Sequence, residues 1–575
     1  MIDPCNLSKS TRRKTMTPMT DSKNLLDCAY YWERVAPDQM YFTQPLGGGD
    51  ANLKTWTWKE AVGEARRMAT YLKSLNLHER SHIAICSKNC AHWILADLAI
   101  WMAGHVSIPI FPILTADIVQ YTLEHSDSKL LFVGKLDPVW DEMKKGVPAD
   151  IPQIAFPLAP ESDLDQWDGI VADHEPLKET DERLPGELAT IIYTSGSTGK
   201  PKGAMISFGA MHQSAKGISE YLKTHERDRV LSYLPLSHVF ERWVAEAHSL
   251  YAGFPLYFAE SLETFIADLQ RARPTLFISV PRLWLKFQLG IFQKVPPKKL
   301  DRLFKIPIVK GLVRKKILAQ LGLDHVRFAG SGSAPIPKEI IEWYRNLGLE
   351  LLEGYAMTEN FAYSHCTKPG EVRPGYVGPP YPDVRQRISE AGEILVKSPG
   401  NMMGYYKMPE KTKEEFTEDG FFKTGDLGEI DEKGRLKITG RAKEQFKTSK
   451  GKYVAPAPIE NQLALSQHVE ACCVTGSGYP QPHAVVMLSE GARKAIDQGN
   501  KSTIEGDLAK HLNSINHELP HHERLAFVAV AKDEWLPENG FLTPTMKLKR
   551  AKLEEVYGLQ SDGWYEENSP VVWQE

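Results

Sequence analysis

The chain has 575 residues, of which 42% are hydrophobic and 25% charged, with a formal net charge of −4. Such a length holds several domains and a multi-layer core, and such a balance excludes a disordered chain. Without a basic excess there is no electrostatic footprint for nucleic acid, which is not an expected partner.

Taken in chain order, residues 1–24 are polar, with Lys9, Arg12, Arg13 and Lys14 clustered. They read as a flexible arm without the apolar core of a signal peptide. Helical spacing covers 60–75. The most apolar stretch, 93–111, contains Asp97, Gly104, His105 and Pro109. This predicts a buried helix followed by a strand, not a membrane span. Short strands are predicted at 82–86, 130–133, 188–193, 276–280, 326–329 and 350–352, with helical stretches between them. That alternation predicts α/β layers with largely parallel sheets. Further strands at 392–396 and 436–439 belong to a smaller β-rich segment. After the charged stretch 441–444 come strands at 471–474, 484–488 and 526–531 and a helix over 504–517. The expected fold class is α/β: a large multi-subdomain N-terminal unit over 25–440, a hinge at 441–443, and a small mobile C-terminal α+β domain over 444–575. Seven cysteines with no CxxC pair point to free thiols in a reducing cytoplasm.

The sharpest signal is Tyr193-Thr-Ser-Gly-Ser-Thr-Gly-Lys-Pro-Lys-Gly203, directly behind an apolar strand. Gly196, Gly199 and Gly203 allow a tight turn that approaches a ligand closely. Thr194, Ser195, Ser197 and Thr198 supply hydroxyls, consecutive N–H groups can form an anion nest, and Lys200 and Lys202 add positive charge. A polyphosphate needs this combination. It is not a Walker A loop, because Thr194 stands where that pattern has glycine and Pro201 follows the lysine. A flexible linker would not alternate these residue types behind a buried strand.

This loop resembles the phosphate loop of the adenylate-forming superfamily, which includes acyl-CoA synthetases, luciferases and peptide-synthetase adenylation domains. Further matches follow in the family's order: Gly330-Ser331-Gly332, Gly354-Tyr-Ala-Met-Thr-Glu359, Lys423-Thr-Gly-Asp426, Gly440-Arg-Ala-Lys443 and Thr543-Pro-Thr-Met-Lys547. The resemblance spans roughly residues 55–560. One departure is Ala356, where the family commonly has glycine.

The resemblance implies ATP, magnesium and coenzyme A as cofactors or co-substrates. It puts Thr194, Ser195, Gly196, Thr198, Gly199 and Lys202 on the β- and γ-phosphates. It puts Gly330, Ser331, Gly332, Gly354 and Thr358 around the nucleotide, with Tyr355 stacked on adenine. Asp426 and Arg441 would hold the ribose. Glu359 would hold magnesium, a hard cation that takes one or two carboxylates beside phosphate. Lys547 would bridge the carboxylate and the α-phosphate, cancelling charge as two anions react. Lys443 is the expected hinge, with an ordinary solvated lysine as the alternative. Gly451 would line a pantetheine passage, with a plain turn glycine as the alternative.

Leu234-Pro-Leu-Ser-His-Val-Phe-Glu-Arg-Trp243 resembles the acid-side motif of long-chain acyl-CoA synthetases. His238 would stand between acid and phosphates, and Phe240 and Trp243 would contact the acyl chain. The aromatics Tyr251, Phe254, Tyr257 and Phe258 fit core or tunnel. The expected reaction is activation of a long-chain fatty acid to acyl-AMP, then transfer to coenzyme A. A fatty acyl-AMP ligase loading a carrier protein, and an aryl or short-acid CoA ligase, remain open. A silent nucleotide-binding protein would not need Lys547.

Residues 298–316 hold eight lysines and arginines against Asp301 alone, interleaved with aliphatic residues. Such a run suits an anionic membrane surface or an ordinary solvated face equally. Pro307 and Gly311 should interrupt one long helix there. His517-Glu-Leu-Pro-His521 matches HExxH, but Pro520 disrupts the helix that a zinc site of that type needs.

Overall fold

The computed structural model describes residues 22–179, 182–194, 200–543 and 546–574. Most of the arm expected at 1–24 lies outside them.

Runs that are apolar on both faces become central strands. His82–Cys86 and Val106–Ile110 are almost wholly buried and pair in parallel. They sit inside an eight-stranded sheet ordered Gly404–Tyr405, Lys202–Ser207, Leu188–Thr194, Val106–Ile110, His82–Cys86, Ser128–Val133, Gln153–Ala155, Asp165–Gln166. From Leu188–Thr194 to Asp165–Gln166 every pairing is parallel. Lys202–Ser207 and Gly404–Tyr405 close one side antiparallel. The 93–111 stretch resolves as expected into helix Ala91–Met102, buried at every residue, and strand Val106–Ile110. Thr57 and Glu60 form a reciprocal capping box that starts helix Trp58–Ser74.

A second sheet carries Leu276–Ser279, Phe328–Ser331 and Leu351–Tyr355 in parallel, with His365–Cys366 antiparallel at its side. The strand expected at 326–329 begins two residues later, at Phe328, after Arg327, whose N–H still donates to the Thr275 carbonyl while its side chain pairs with Asp228. A third sheet joins Val230–Ser232, Leu256–Phe258, Met40–Pro45 and Leu53–Thr57. The smaller β-rich segment is an antiparallel sheet of Arg385–Ile388, Glu393–Lys397, Phe422–Ile430 and Leu436–Arg441.

Beyond it, Val469–Thr475, His483–Leu488, Val528–Val530 and Val571–Trp573 form a sheet of their own with helix Lys501–Glu518. Its core is separate, built on Ile459, Val474, Val486 and Leu512 among others. This body meets the larger one through an ion pair of Arg282 with Glu470, with Lys286 Nζ 3.6 Å from the same carboxylate. Helix Lys501–Glu518 stops before Pro520, so His517 and His521 do not share a helical face. The six described cysteines are all buried and unpaired.

The basic run forms two helices, Pro297–Phe304 and Pro307–Gln320. Pro307 opens the second at a position where its missing N–H is harmless. Gly311 does not break it, contrary to expectation. A Cβ there would meet nothing, and the helix needs no kink.

Candidate active site

Three sheets converge on one cleft. In the antiparallel pair Phe422–Ile430 and Leu436–Arg441, Asp426 stands opposite Arg441. Gly425 adopts φ +72°, which turns the chain so that the Asp426 side chain faces inward. Arg441 Nε donates to Asp426 Oδ1 at 2.9 Å, and the Tyr355 hydroxyl donates to Oδ2 at 2.6 Å. Tyr355 ends strand Leu351–Tyr355. Burial, then the Asp426 charge, drives its phenol far above the usual range, so it acts as a fixed donor. Asp426 is enclosed at 7% side-chain exposure, while Arg441 keeps 57% open to the cleft. Tyr355, Asp426 and Arg441 are therefore brought together as the sequence predicts.

Beside them, the turn Thr358–Asn360 presents Glu359. The Tyr405 hydroxyl donates to Glu359 Oε1 at 2.7 Å, and Lys202 Nζ lies 4.2 Å from the centre of the Tyr405 ring. Burial lowers the Lys202 ammonium, and Glu359 opposes that shift. Tyr405 was not among the sequence candidates. Its signal was Gly404, at φ +142° with room for no Cβ (Thr412 would lie 2.7 Å away), immediately before two tyrosines. Thr194 ends the strand that leads into the loop, with Oγ1 3.4 Å from the Lys202 carbonyl oxygen. Ser195, Gly196, Thr198 and Gly199 lie outside the described residues.

From the C-terminal body a tight turn reaches the same cleft. The Thr543 N–H donates to the Lys547 carbonyl at 2.7 Å, and the Lys547 N–H donates to Thr543 Oγ1 at 3.1 Å. Lys547 keeps contact with water because the cleft is open, yet protein surrounds it closely. Burial lowers its ammonium pKa, as does Arg441, while Asp426, Glu359 and Glu444 pull the other way. His238 faces it from the start of helix Val239–Glu241. Its Nδ1 accepts from the Phe240 N–H at 3.2 Å. Burial, then Lys547, pushes the imidazole down to about 3, so the ring is neutral at ordinary pH. With Nδ1 accepting, the proton sits on Nε2 as a donor.

Phe240, two residues after His238, borders a narrow apolar cavity of about 40 Å³. Phe240, Trp243, Ile278, Leu352 and Tyr381 wall it, and Ser331, Gly354 and Cys366 also line it. Ser331 Oγ is buried without a hydrogen-bond partner. A Cβ on Gly332 would sit 3.2 Å from the Phe240 ring, so glycine keeps that passage clear. Gly330 lies on the same strand, its carbonyl accepting from Trp284 Nε1 at 3.1 Å. Thr358 is buried at the base of its turn. Tyr251, Phe254 and Phe258 are packed in the main core and do not line this cavity. Lys443 is exposed in the turn after Leu436–Arg441. Gly451 adopts φ +72° in the turn between Phe446–Lys447 and Tyr453–Val454, with nothing within 4 Å of a would-be Cβ.

A second cluster escaped the sequence reading. Arg242 is fully buried in the π-helical turn Arg242–Ala247. It contacts Asp97, donates through Nε to Glu246 at 2.9 Å and through Nη1 to Thr190 Oγ1 at 2.6 Å. Trp93 and Trp101 flank the guanidinium. Thr190 belongs to the strand that ends at Thr194, so this knot ties the His238 segment to the base of the phosphate-type loop.

Comparison with known proteins gives the family. Residues 33–406 match the family model for AMP-binding enzymes, and residues 443–569 match the model for the AMP-binding enzyme C-terminal domain. A long-chain-fatty-acid–CoA ligase of Mycobacterium bovis is 30% identical, over 94% of this chain and 97% of its own. The peroxisomal long chain acyl-CoA synthetase 7 of Arabidopsis thaliana is 28% identical, over 91% and 84%. Among solved structures, ATP-bound MatB of Rhodopseudomonas palustris is 26% identical with a TM-score of 0.70, covering 93% of this chain and 99% of that one. The adenylation domain of a Mycobacterium chelonae carboxylate reductase, at 22% identity, shares the fold with a TM-score of 0.81 over 95% and 92%.

Proposed function

The chain belongs to the AMP-binding enzyme family, and on that premise we propose that it activates a long-chain fatty acid with ATP and passes the acyl group to coenzyme A. One observation carries the reading. Lys547, delivered from the C-terminal body, stands in one cleft with Asp426, Arg441, Glu359 and His238. A mere nucleotide-binding protein has no need of a partly desolvated ammonium at that point.

In this reading Asp426 accepts from the ribose hydroxyls while Arg441 and Tyr355 hold its carboxylate in place. Lys202, with Thr194 and the loop after it, takes the outer phosphates. Glu359 suits magnesium: Tyr405 engages one oxygen, and Oε2 makes no hydrogen bond among the described residues. Magnesium there would offset the phosphate charge. Lys547 cancels the repulsion between the fatty carboxylate and the α-phosphate and holds the charge that grows as the acyl–phosphate bond forms. Neutral His238 offers its Nε2–H beside them. The apolar cavity suits an alkyl chain, because each buried methylene contributes about 0.8 kcal/mol. At its present size it must widen as the chain enters.

Transfer to the coenzyme A thiol needs a second arrangement of the C-terminal body, with Lys443 at the hinge and Gly451 beside the thiol's path. The buried, unpaired thiols support a cytoplasmic setting. The deciding measurement is pyrophosphate release with acids from acetate to stearate, with and without coenzyme A. Multiple turnover that requires both long acids and coenzyme A is expected. A single burst indifferent to coenzyme A would replace this reading with loading of a carrier protein.

A further inference from the structure

We propose that the helical pair Pro297–Phe304 and Pro307–Gln320 is a docking face for an anionic lipid bilayer. The proposal rests on the acyl-activation reading only for its usefulness. The surface itself is argued from its own residues.

The pair carries Lys298, Lys299, Arg302, Lys305, Lys310, Arg314, Lys315 and Lys316, with Asp301 the one acid. The chain as a whole is acidic, so this is a concentrated reversal of sign. None of these eight cations forms an ion pair with a carboxylate among the described residues. Elsewhere on the surface such pairs are common, as with Lys144 and Asp141 or Lys407 and Asp127. Cations that the fold leaves unpaired are free to meet an external anion.

The same segment exposes large aliphatic side chains. Ile306 is 53% exposed, Ile308 81% and Leu312 67%. Ile308 and Leu312 are one turn apart and share a helical face. Lys315 follows on that face, and Leu300 and Ile317 anchor the pair inward to the second core. Here three large aliphatics are exposed within seven residues, among the lysines, rather than singly. A bilayer interface accepts both: the aliphatics enter the headgroup boundary and the cations meet lipid phosphates. Beside the second helix, Arg273, Arg314, Lys315 and His325 border an open basin wide enough for a headgroup, with Asp324 on its rim.

The position in the chain gives the surface its purpose. The pair lies within the crossover between strands Leu276–Ser279 and Phe328–Ser331, which are neighbours in one sheet. Ile278 on the first and Phe328, Gly330 and Ser331 on the second line the acyl cavity. Docking here seats the acid-binding part of the molecule against the phase in which long-chain acids partition. No helix among the described residues is long and apolar enough to cross a membrane, so the contact is peripheral.

The test is co-sedimentation of the full chain with vesicles of phosphatidylcholine alone or mixed with phosphatidylglycerol. Preferential binding to the mixed vesicles is expected, weakened by salt. Lys298→Glu with Lys299→Glu and Arg302→Glu should reduce that binding by at least about 10-fold. Ile308→Ser with Leu312→Ser should also reduce it, with salt sensitivity retained. All these positions are exposed and none is among the residues placed in the cleft, so turnover of detergent-dispersed acid should stay unchanged. Failure of turnover with intact vesicle binding would count against the enzymatic reading alone. Absence of binding, or binding that survives both sets of substitutions, overturns the docking face. So does loss with the glutamates but not the serines together with displacement by soluble polyglutamate, which would indicate an acidic protein partner.

Discussion

Two arginine–carboxylate clusters in this molecule use the same chemistry for opposite ends. Arg242 is sealed between Asp97, Glu246 and Thr190, with both carboxylate partners at 0% side-chain exposure. Arg441 holds Asp426 by a similar bond but keeps 57% of its side chain in an open cleft. In the first, every strong donor is spent inside the fold. In the second, one face of the pair is left for something else to bind. Burial, not residue type, separates an arginine that fixes architecture from one that serves a ligand.

The sharpest way to break that contrast is to remove each arginine. Arg242→Ala leaves two buried carboxylates without a cation and should destabilise the fold by about 3–5 kcal/mol, read by urea unfolding. Arg441→Ala should cost clearly less, because the Tyr355 hydroxyl still donates to Asp426 and the arginine itself is half open to water. Equal losses of stability would erase the distinction.

On the catalytic side, Lys547→Ala should slow acyl-adenylate formation by ~10²–10³-fold. Thioester formation from preformed adenylate should fall much less. Comparable losses in both steps would remove Lys547 from its assigned role. Next in size, Asp426→Ala should raise the KM for ATP by roughly 10-fold or more, as expected for lost hydrogen bonds to a charged group. A smaller effect, a few-fold in rate and about 1 kcal/mol, is expected of Tyr405→Phe, which frees Glu359 Oε1 without moving the backbone.

The sealed cluster also has a pH signature. Burial, then the neighbouring Asp97, raises the Glu246 carboxyl well above its usual value. The folded chain therefore binds a proton there that the unfolded chain has lost above about pH 4.5. The stability this supplies is present at low pH and falls as pH rises through the folded value. Glutamine mimics the protonated form and does not titrate. The advantage of the wild type over Glu246→Gln should shrink as pH rises above about 4.5, by up to about 1.4 kcal/mol per unit. A constant gap would mean that Glu246 stays ionised beside Arg242.

The open cluster was far more legible in the sequence than the sealed one. Asp426, Arg441, Glu359 and Lys547 each sit in a short motif that resembles one of the adenylate-forming superfamily, and that resemblance implied their roles. Central strands such as 82–86 and the 91–110 helix–strand pair could be read from unbroken apolar runs. Arg242 could not. It stands in a motif read for its histidine and aromatics, and its partner Asp97 is 145 residues away. Nothing local marks a buried ion pair across that distance. Tyr405 was missed for a related reason, since its partner Glu359 lies 46 residues back. Gly311 misled because glycine weakens a helix only on average, and here tertiary anchoring by Leu300 and Ile317 holds it.

The buried cysteines have one more consequence. An acyl adenylate or an acyl thioester is a reactive acyl donor, and a surface thiolate would intercept it. Burial lifts Cys28 and Cys86 to about 12, so these thiols stay protonated and out of reach, while Cys366, which lines the apolar cavity, is kept protonated by a pKa lifted to about 11. At the described cysteines, the enzyme is thereby protected from acylating itself with its own product.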